Sequence, residues 1–360
     1  MSAIGEFGLI DRIRKGGLAV APGVLVGIGD DAAILEPSPG NLLVATTDLL
    51  IEGVHFRTEF ASPYAIGRKA MAVNVSDIAA MGGIPRHALI ALAIPQEVPV
   101  EFIEDFYRGL REEGARDQIA IVGGDTSSSP SGLALFLALL GEVERDRYLT
   151  RGGAKAGDNI WVTGRLGASA AWLAALEAGF RVAGEGSGVI TGPGIERLAA
   201  EEREALVEAI QAHLFPTPRV KEGRALTMAG VVSAMIDISD GLASDLGHIL
   251  TESGVSAKVY RERLPLHPAT AVVGRLLGQD PWVYAIQGGE DYELLFTSPN
   301  GPWTVEGTLA AEGLTLPILI GEVVEGKEGG FLIDSFGGSK PLTGGYQHFQ
   351  IGCQMPEAGC

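Results

Sequence analysis

The sequence predicts an α/β (α+β) protein of two domains, and three observations carry that prediction. Branched apolar runs of strand length alternate with amphipathic stretches of helical period. At 360 residues and 46% apolar content, the chain can bury two cores. Acidic residues recur where an apolar run surfaces, the placement that gathers a site at a sheet edge in open α/β folds.

The first key stretch runs from Gly27 to His55. Residues 24–28 and 42–45 are predicted strands, followed by Asp30 and Asp31 in the first case and by Thr46, Thr47 and Asp48 in the second. No Lys or Arg lies between Lys15 and Arg57, so carboxylates buried there require a cation from elsewhere. Hard oxygen donors without Cys or paired His suit Mg²⁺, Mn²⁺ or Ca²⁺ and argue against zinc. Before this stretch, residues 4–14 read as a short packing helix closed by Gly16-Gly17.

Ser62-Pro63 then starts a helix, since Ser caps and Pro is tolerated in the first turn, and Gly82-Gly83 ends it. Ile66, Ala70, Val73 and Asp77 share one face, which puts a carboxylate on a buried stripe. Metal coordination beside Asp30 and Asp48 explains that facing better than a solvated helix end. A strand over 87–94 and a helix over 100–114 follow, with Tyr107 on the helix's apolar side and its hydroxyl at the rim. The next strand, 119–122, is expected to break at Gly123-Gly124 and present Asp125 and Thr126; paired glycines admit a phosphate closely, and Asp125 can hold its metal. The uncharged run 133–140 predicts a strand covered on both faces or buried in a subunit interface.

The first domain is expected to end at Tyr148. Residues 149–158 form a basic, Gly-rich joint, whose Arg151 and Lys155 either meet phosphate oxygens or line a solvated hinge. A strand at 160–163, a helix at 167–178, a Gly-rich loop at 184–194 and a charged helix at 196–213 come next. In the third key stretch, 231–249, a strand ends at Asp237, and Ser239 and Asp240 precede a helix starting near Gly241. One Asp suffices for a cap, so the second and the hydroxyl favour ligand binding. Glu290 and Asp291 follow another Gly-Gly pair, strands occupy 318–324 and 331–334, and residues 351–360 are expected to be a mobile tail.

Composition excludes several classes. Forty-five acidic against 27 basic side chains leave a charge of -18, which disfavours nucleic acid and anionic membranes. A phosphorylated substrate would need metal ions as escorts. The longest apolar run is too short for a bilayer, residues 1–14 lack a signal-peptide pattern, and a soluble cytoplasmic protein is expected. Cys353 and Cys360 are the only cysteines, so no disulfide framework or thiolate site supports the fold. A Walker A loop, a protein-kinase glycine loop, a dinucleotide fingerprint and a nucleophile elbow are all lacking.

GIGDDAAIL, TTDLLIEGVHF, GRKAMAVNVSDIAAMGGIP, VGGDTS, LTRGGAKAGD, DISDGLASDLGHI and GGEDYELLF occur in unbroken order within residues 3–350. In these motifs the chain resembles the thiamine-monophosphate kinase family of the aminoimidazole ribonucleotide synthetase-like superfamily. The resemblance implies two α/β domains, which the joint after Tyr148 places at 1–148 and 149–350, with mixed β-sheets flanked by helices and N-terminal sheets pairing across a homodimer. It implies γ-phosphoryl transfer from ATP to thiamine monophosphate, with several Mg²⁺ per site and room for a monovalent cation such as K⁺. The implied Mg²⁺ ligands are Asp30, Thr46, Thr47, Asp48, Asp77, Asp125, Asp237 and Asp240. Tyr107, Gly124, Asp125, Arg151 and Ser239 are the implied ATP contacts. His55, Glu290 and a C-terminal aromatic, Phe349 in preference to Tyr346, are the implied thiamine contacts; alone, a His after a strand reads as structural. Asp125 and Arg151 are the expected catalytic pair. A phosphate monoester with a second pKa of ~6 is largely dianionic at neutral pH and attacks without a general base. Catalysis is then in-line alignment with charge dispersal. The alternatives are an amidine ligase or selenide kinase of the same superfamily, a metal-dependent phosphohydrolase, and a Ca²⁺-binding scaffold.

Overall fold

The structure is a computed structural model and describes residues 8, 10, 12, 13, 22–28, 31–183, 189–346 and 348. Strands β1 (Val24–Val26) and β2 (Ile34–Leu35) form a small antiparallel pair. A mixed four-stranded sheet follows, built from β3 (Asn41–Ile51), β4 (Ile84–Ile94), β5 (Ala120–Ser128) and β6 (Ala134–Glu144) in the order β3-β6-β4-β5. Only β4 and β5 run parallel. Helices α1 (Pro63–Ala80) and α2 (Val100–Arg116) pack on one of its faces.

The second mixed sheet has seven strands: β7 (Asn159–Val162), β10 (Ala234–Asp237), β11 (Ser256–Tyr260), β12 (Leu294–Ser298), β13 (Ile318–Val324), β14 (Gly330–Ile333) and β15 (Ser339–Pro341). Their order is β10-β12-β7-β13-β11-β14-β15, so β10 is an edge strand. Strands β8 (Arg181–Val182) and β9 (Ile190–Thr191) pair separately. Helices α3 (Ala168–Glu177), α4 (Ala200–Leu214), α5 (Val220–Ala229), α6 (Leu242–Ser253), α7 (Pro268–Leu277), α8 (Pro281–Ile286) and α9 (Pro302–Ala311) complete the second half.

Helix α1 is the element on which both halves rest. Its cap forms as the sequence implies: Ser62 Oγ accepts from Ala65 N at 3.2 Å, with Pro63 in the first turn. Ile66, Ala70 and Val73 share a core with Ile90, Leu92, Leu135 and Leu137, and that core continues into Trp161, Leu294 and Phe296 of the larger sheet. A helix walled on both sides carries no solvent stripe, and each Ile or Leu so buried contributes about 1.5–3 kcal/mol. The single apolar face expected from spacing is therefore corrected to burial almost all round.

Three further expectations change. Thr46, Thr47 and Asp48 lie inside β3, which runs on to Ile51 instead of ending at Ala45. Gly123-Gly124 does not end β5, which continues to Ser128 with a register slip opposite Ala88 and Leu89. The apolar run in β6 is covered by this chain on one face only, which removes the first of its two expected settings and leaves the subunit interface: Leu135, Leu137 and Leu139 are buried, whereas Phe136 joins exposed Leu43, Leu49 and Ile51 on the open face. Most of the helix expected at 4–14, residues 184–188 of the Gly-rich loop and the tail at 351–360 lie outside the described residues. No helix among the described residues is long and apolar enough to cross a membrane.

Candidate functional site

The carboxylates do not meet along one sheet edge. Asp48 comes from the smaller sheet and Asp237 from the edge strand β10 of the larger, and α1 joins them with Asp77 in its last turn. Thr46 Oγ1 donates to Asp77 Oδ2 at 2.5 Å, and Ser76 Oγ donates to Asp237 Oδ2 at 2.7 Å. Burial first, and Asp77 second, push the Asp48 carboxyl up to about 6. Burial, then Asp77 and other carboxylates, push Asp237 up to about 8 against the pull of the Ser76 hydroxyl. Asp77 is raised by burial too, opposed by Thr46 and by the Arg151 guanidinium. These shifts describe acids crowded together with too little countercharge.

Among the described residues, no three His, Cys, Asp or Glu side chains stand close enough together to hold a metal. The donor chemistry nevertheless fits a hard divalent cation: carboxylate and hydroxyl oxygens with surplus negative charge, and no sulfur. Asp30, a further expected ligand, lies outside the described residues. Thr47 faces away, because strand alternation turns its hydroxyl to Leu137 O on β6 at 3.0 Å.

The DISDG turn is organised by Asp245, a residue the sequence reading missed. Its Oδ2 accepts from the main-chain N–H of Ser239, Asp240 and Gly241 at 3.1, 3.1 and 3.0 Å. Burial and Asp240 push the Asp245 carboxyl up to about 7 despite those three donors. The GGEDY turn clips onto DISDG: Glu290 N donates to Ser239 O and Tyr292 N to Ile238 O, both at 2.8 Å. Gly289 is required there, since a Cβ would stand 2.3 Å from Ser239 O. Glu290 and Tyr292 carry φ of 65° and 51°, a left-handed backbone that non-glycine residues adopt where surrounding structure imposes it.

Glu290 has partners that the acid cluster lacks. Lys69 Nζ lies 2.7 Å from Oε1, Ser169 Oγ donates to Oε2 at 3.1 Å, and His213 Nδ1 is 3.3 Å from Oε2. Burial works to raise this carboxyl, yet Lys69 and His213 hold it well below the usual carboxylate range. Burial holds His213 below the ordinary imidazole value, helped by Lys69 and opposed by Glu290. Asp291 turns the other way, accepting from Gly167 N at 2.9 Å at the start of α3, a structural cap.

His55 stands at this end of the site. Its Nδ1 accepts from Ile51 N at 3.0 Å, and its ring lies 5.1 Å from that of His348. Burial, then His348, lower its pKa against the field of Glu290. Tyr346 packs edge-on against His348 at 4.9 Å, and its main-chain N–H donates to Asp240 O at 2.9 Å. The chain thus returns across the site near residue 346; Phe349 lies outside the described residues.

The remaining expected residues are dispersed. Arg151 sits on a connection tied to β10, where Met235 N donates to Thr150 O at 3.0 Å. Gly124 is opposite Ile90, and a Cβ there would fall 1.9 Å from Ile90 O, so β5 tolerates no side chain at that point. Asp125 follows it as an exposed residue of β5. Tyr107 is buried on α2, edge-on to Phe106 at 5.7 Å with Arg111 over its ring. Lys69, Ser169 and His213 escaped the sequence reading; a lone Lys in an apolar helical stripe was the available signal for the first.

Helix α1, shared by two mixed sheets, thus brings together acids of both halves. Residues 29–143 match AIR synthase related protein, N-terminal domain, and residues 155–334 match AIR synthase related protein, C-terminal domain, so the chain belongs to the AIR synthase related family. Within that family, it is 37% identical to the thiamine-monophosphate kinase of Aquifex aeolicus over 355 residues, 97% of this chain and 99% of the relative. The crystal structure of thiamine-monophosphate kinase from Stenotrophomonas maltophilia K279a superposes with a TM-score of 0.76 at 37% identity, covering 91% of this chain and 96% of that one. AaThiL complexed with AMPPCP and TMP gives a TM-score of 0.70 at 34% identity, over 97% and 98% of the two chains.

Proposed function

We propose that this chain transfers the γ-phosphoryl group of ATP directly to the phosphate of thiamine monophosphate, giving thiamine diphosphate and ADP. The observation that carries the reading is the pairing of two unlike ends in one site. At one end Thr46–Asp77 and Ser76–Asp237 hydrogen bonds draw the acids onto the last turn of α1; at the other, eight residues earlier on that helix, Lys69 pairs with Glu290, whose charge reaches His55. Relatives named thiamine-monophosphate kinase, and the AaThiL complex with AMPPCP and TMP, support it.

Asp30, Asp48, Asp77, Asp125, Asp237 and Asp240, with Thr46, are the proposed Mg²⁺ ligands; Thr47 would serve through its main-chain oxygen, given where its hydroxyl points. Mg²⁺ supplies charge neutralisation between the two phosphate-bearing substrates. The aspartates hold the polyphosphate end, while Arg151, whose charge already reaches Asp77, spreads negative charge as the bond to the leaving group loosens. The acceptor phosphate, dianionic at neutral pH, needs no base from the chain. Gly124, Tyr107, Ser239 and Asp125 are the proposed nucleotide contacts, beside Arg151. His55, Glu290 and an aromatic at Tyr346 or Phe349 hold the thiamine.

The reading includes domains at 1–148 and 149–350 and a homodimer in which the open face of the smaller sheet meets its copy. Leu43 at 63% exposure, Leu49 at 49% and Phe136 at 41% support that surface. Leu49→Asp is expected to convert a dimer to a monomer in light scattering. The defining experiment incubates the protein with ATP, Mg²⁺ and thiamine monophosphate, with free thiamine as control. Thiamine diphosphate and ADP are expected in equal amounts, with no product from thiamine; ADP release that needs no acceptor would make the protein a phosphohydrolase.

A further inference from the structure

Glu290 is approached from its protein side by three donors contributed by three different helices. Lys69 belongs to α1, Ser169 to the first turn of α3 and His213 to the last turn of α4, while Glu290 itself sits on the turn clipped to DISDG. The Lys69 side chain is 8% exposed and that of Glu290 is 27% exposed, so the ammonium is sealed behind a carboxylate that keeps an open edge. Ser169 Oγ stands 2.8 Å from His213 Nδ1 and donates to Glu290 Oε2, so His213 Nδ1 carries the proton and the hydroxyl relays toward the carboxylate.

We infer that Lys69, with Ser169 and His213 behind it, is a positioning residue that fixes Glu290 in one orientation as the anionic rest for the cationic, amino-bearing end of the substrate. This rests on the reading of the chain as a thiamine-monophosphate kinase. A carboxylate has room for about four donors. Lys69 and Ser169 occupy two, the His213 Nδ1–H that Ser169 Oγ accepts stands 3.3 Å from the same carboxylate oxygen, and the open edge is left to accept an N–H group or face a ring cation. Lys69 stands eight residues, ~12 Å, before Asp77 on α1, so the Lys69–Glu290 pair marks the end of the site away from Asp77. A lone carboxylate on a left-handed turn would sample several rotamers; three donors from separate helices leave one. Because α1 belongs to the smaller sheet's half and the other donors to the larger's, the orientation also reports the docking of the two halves.

The test compares Lys69→Met, Lys69→Arg, Glu290→Gln and the Lys69→Met/Glu290→Gln double variant under saturating ATP and Mg²⁺. Lys69→Met is expected to raise KM for thiamine monophosphate at least ~10-fold while kcat and KM for ATP stay within about twofold, since loss of a charge-assisted contact acts on one substrate only. Lys69→Arg should recover most of that loss. In the double variant the KM is expected to match Glu290→Gln alone, as two members of one unit do. An unchanged KM for thiamine monophosphate in Lys69→Met, equal losses toward both substrates, or additive losses in the double variant would each overturn the inference. Should Lys69→Met fail to fold, Ser169→Ala with His213→Gln removes the other two donors and is expected to raise the same KM about threefold, again with kcat held; no change in that KM counts against the inference equally. A wild type that makes no thiamine diphosphate fails the proposed function itself, a result separate from any of these.

Discussion

Burial is the largest influence on Asp48, Asp77 and Asp237 on one side and on Glu290 on the other, yet their acidities move in opposite directions. Asp48 and Asp237 are pushed up to about 6 and 8 because burial and like charges act together. Burial acts on Glu290 in the same sense, and it is still held low, because Lys69 and His213 stand against it. The difference lies in countercharge rather than in depth. An acid whose partner the chain supplies is ionised and oriented on folding, with its open edge left for a second donor; one without a partner is set to receive a cation from solution. The two ends would accordingly serve different parts of a substrate pair, phosphates at the first and an organic cation at the second.

The comparison breaks most visibly at Asp48. Asp48→Asn is expected to lower turnover at least ~1000-fold while raising the melting temperature of the metal-free protein, since it deletes a ligand and a repulsion together. A variant that loses stability instead would make Asp48 an ordinary structural acid. Arg151→Ala should come next, with kcat down about 100-fold and KM for thiamine monophosphate little altered, read in a coupled ADP assay.

A third expectation concerns pH. The Asp237 carboxyl rises from 3.8 to about 8 on folding, so between those values the folded chain binds the extra proton. Stability is then fullest at low pH and falls as pH rises through the folded value. For metal-free protein, unfolding free energy should drop about 2 kcal/mol from pH 6 to 8, and Mg²⁺ should flatten the slope by favouring the ionised form. A slope unaffected by Mg²⁺, measured by denaturant titration, would separate the cluster from any metal role. The smallest effect is expected at Tyr346→Ala, with KM for thiamine monophosphate raised about threefold, because the ring touches His348 and only through it His55.

Much of this architecture was legible in the chain. The Ser62 cap, the Gly82-Gly83 stop and the strands near 84–94, 134–144 and 318–324 follow local rules, and the structure reproduces them. Helices α5, α7 and α9 and strand β11 were not foreseen, being short elements fixed by packing more than by pattern. Gly123-Gly124 misled for a related reason: a glycine pair that usually breaks a strand here continues it, and Gly124 is demanded by the close approach of Ile90 O.

The residues alone pointed to the kind of chemistry, though not to every group that takes part. An acidic chain rich in Asp, with no Walker loop and no thiolates, leaves metal-escorted phosphate chemistry as its reading, because charge and donor type are properties of composition. Tertiary structure decided how those groups are partnered. Nothing in the linear order says that Lys69 reaches Glu290, that Ser76 reaches Asp237, or that Thr47 turns from the pocket its neighbours line. Countercharge depends on distances of a few ångströms between segments far apart in the chain, and only the packing of α1 between two sheets sets them.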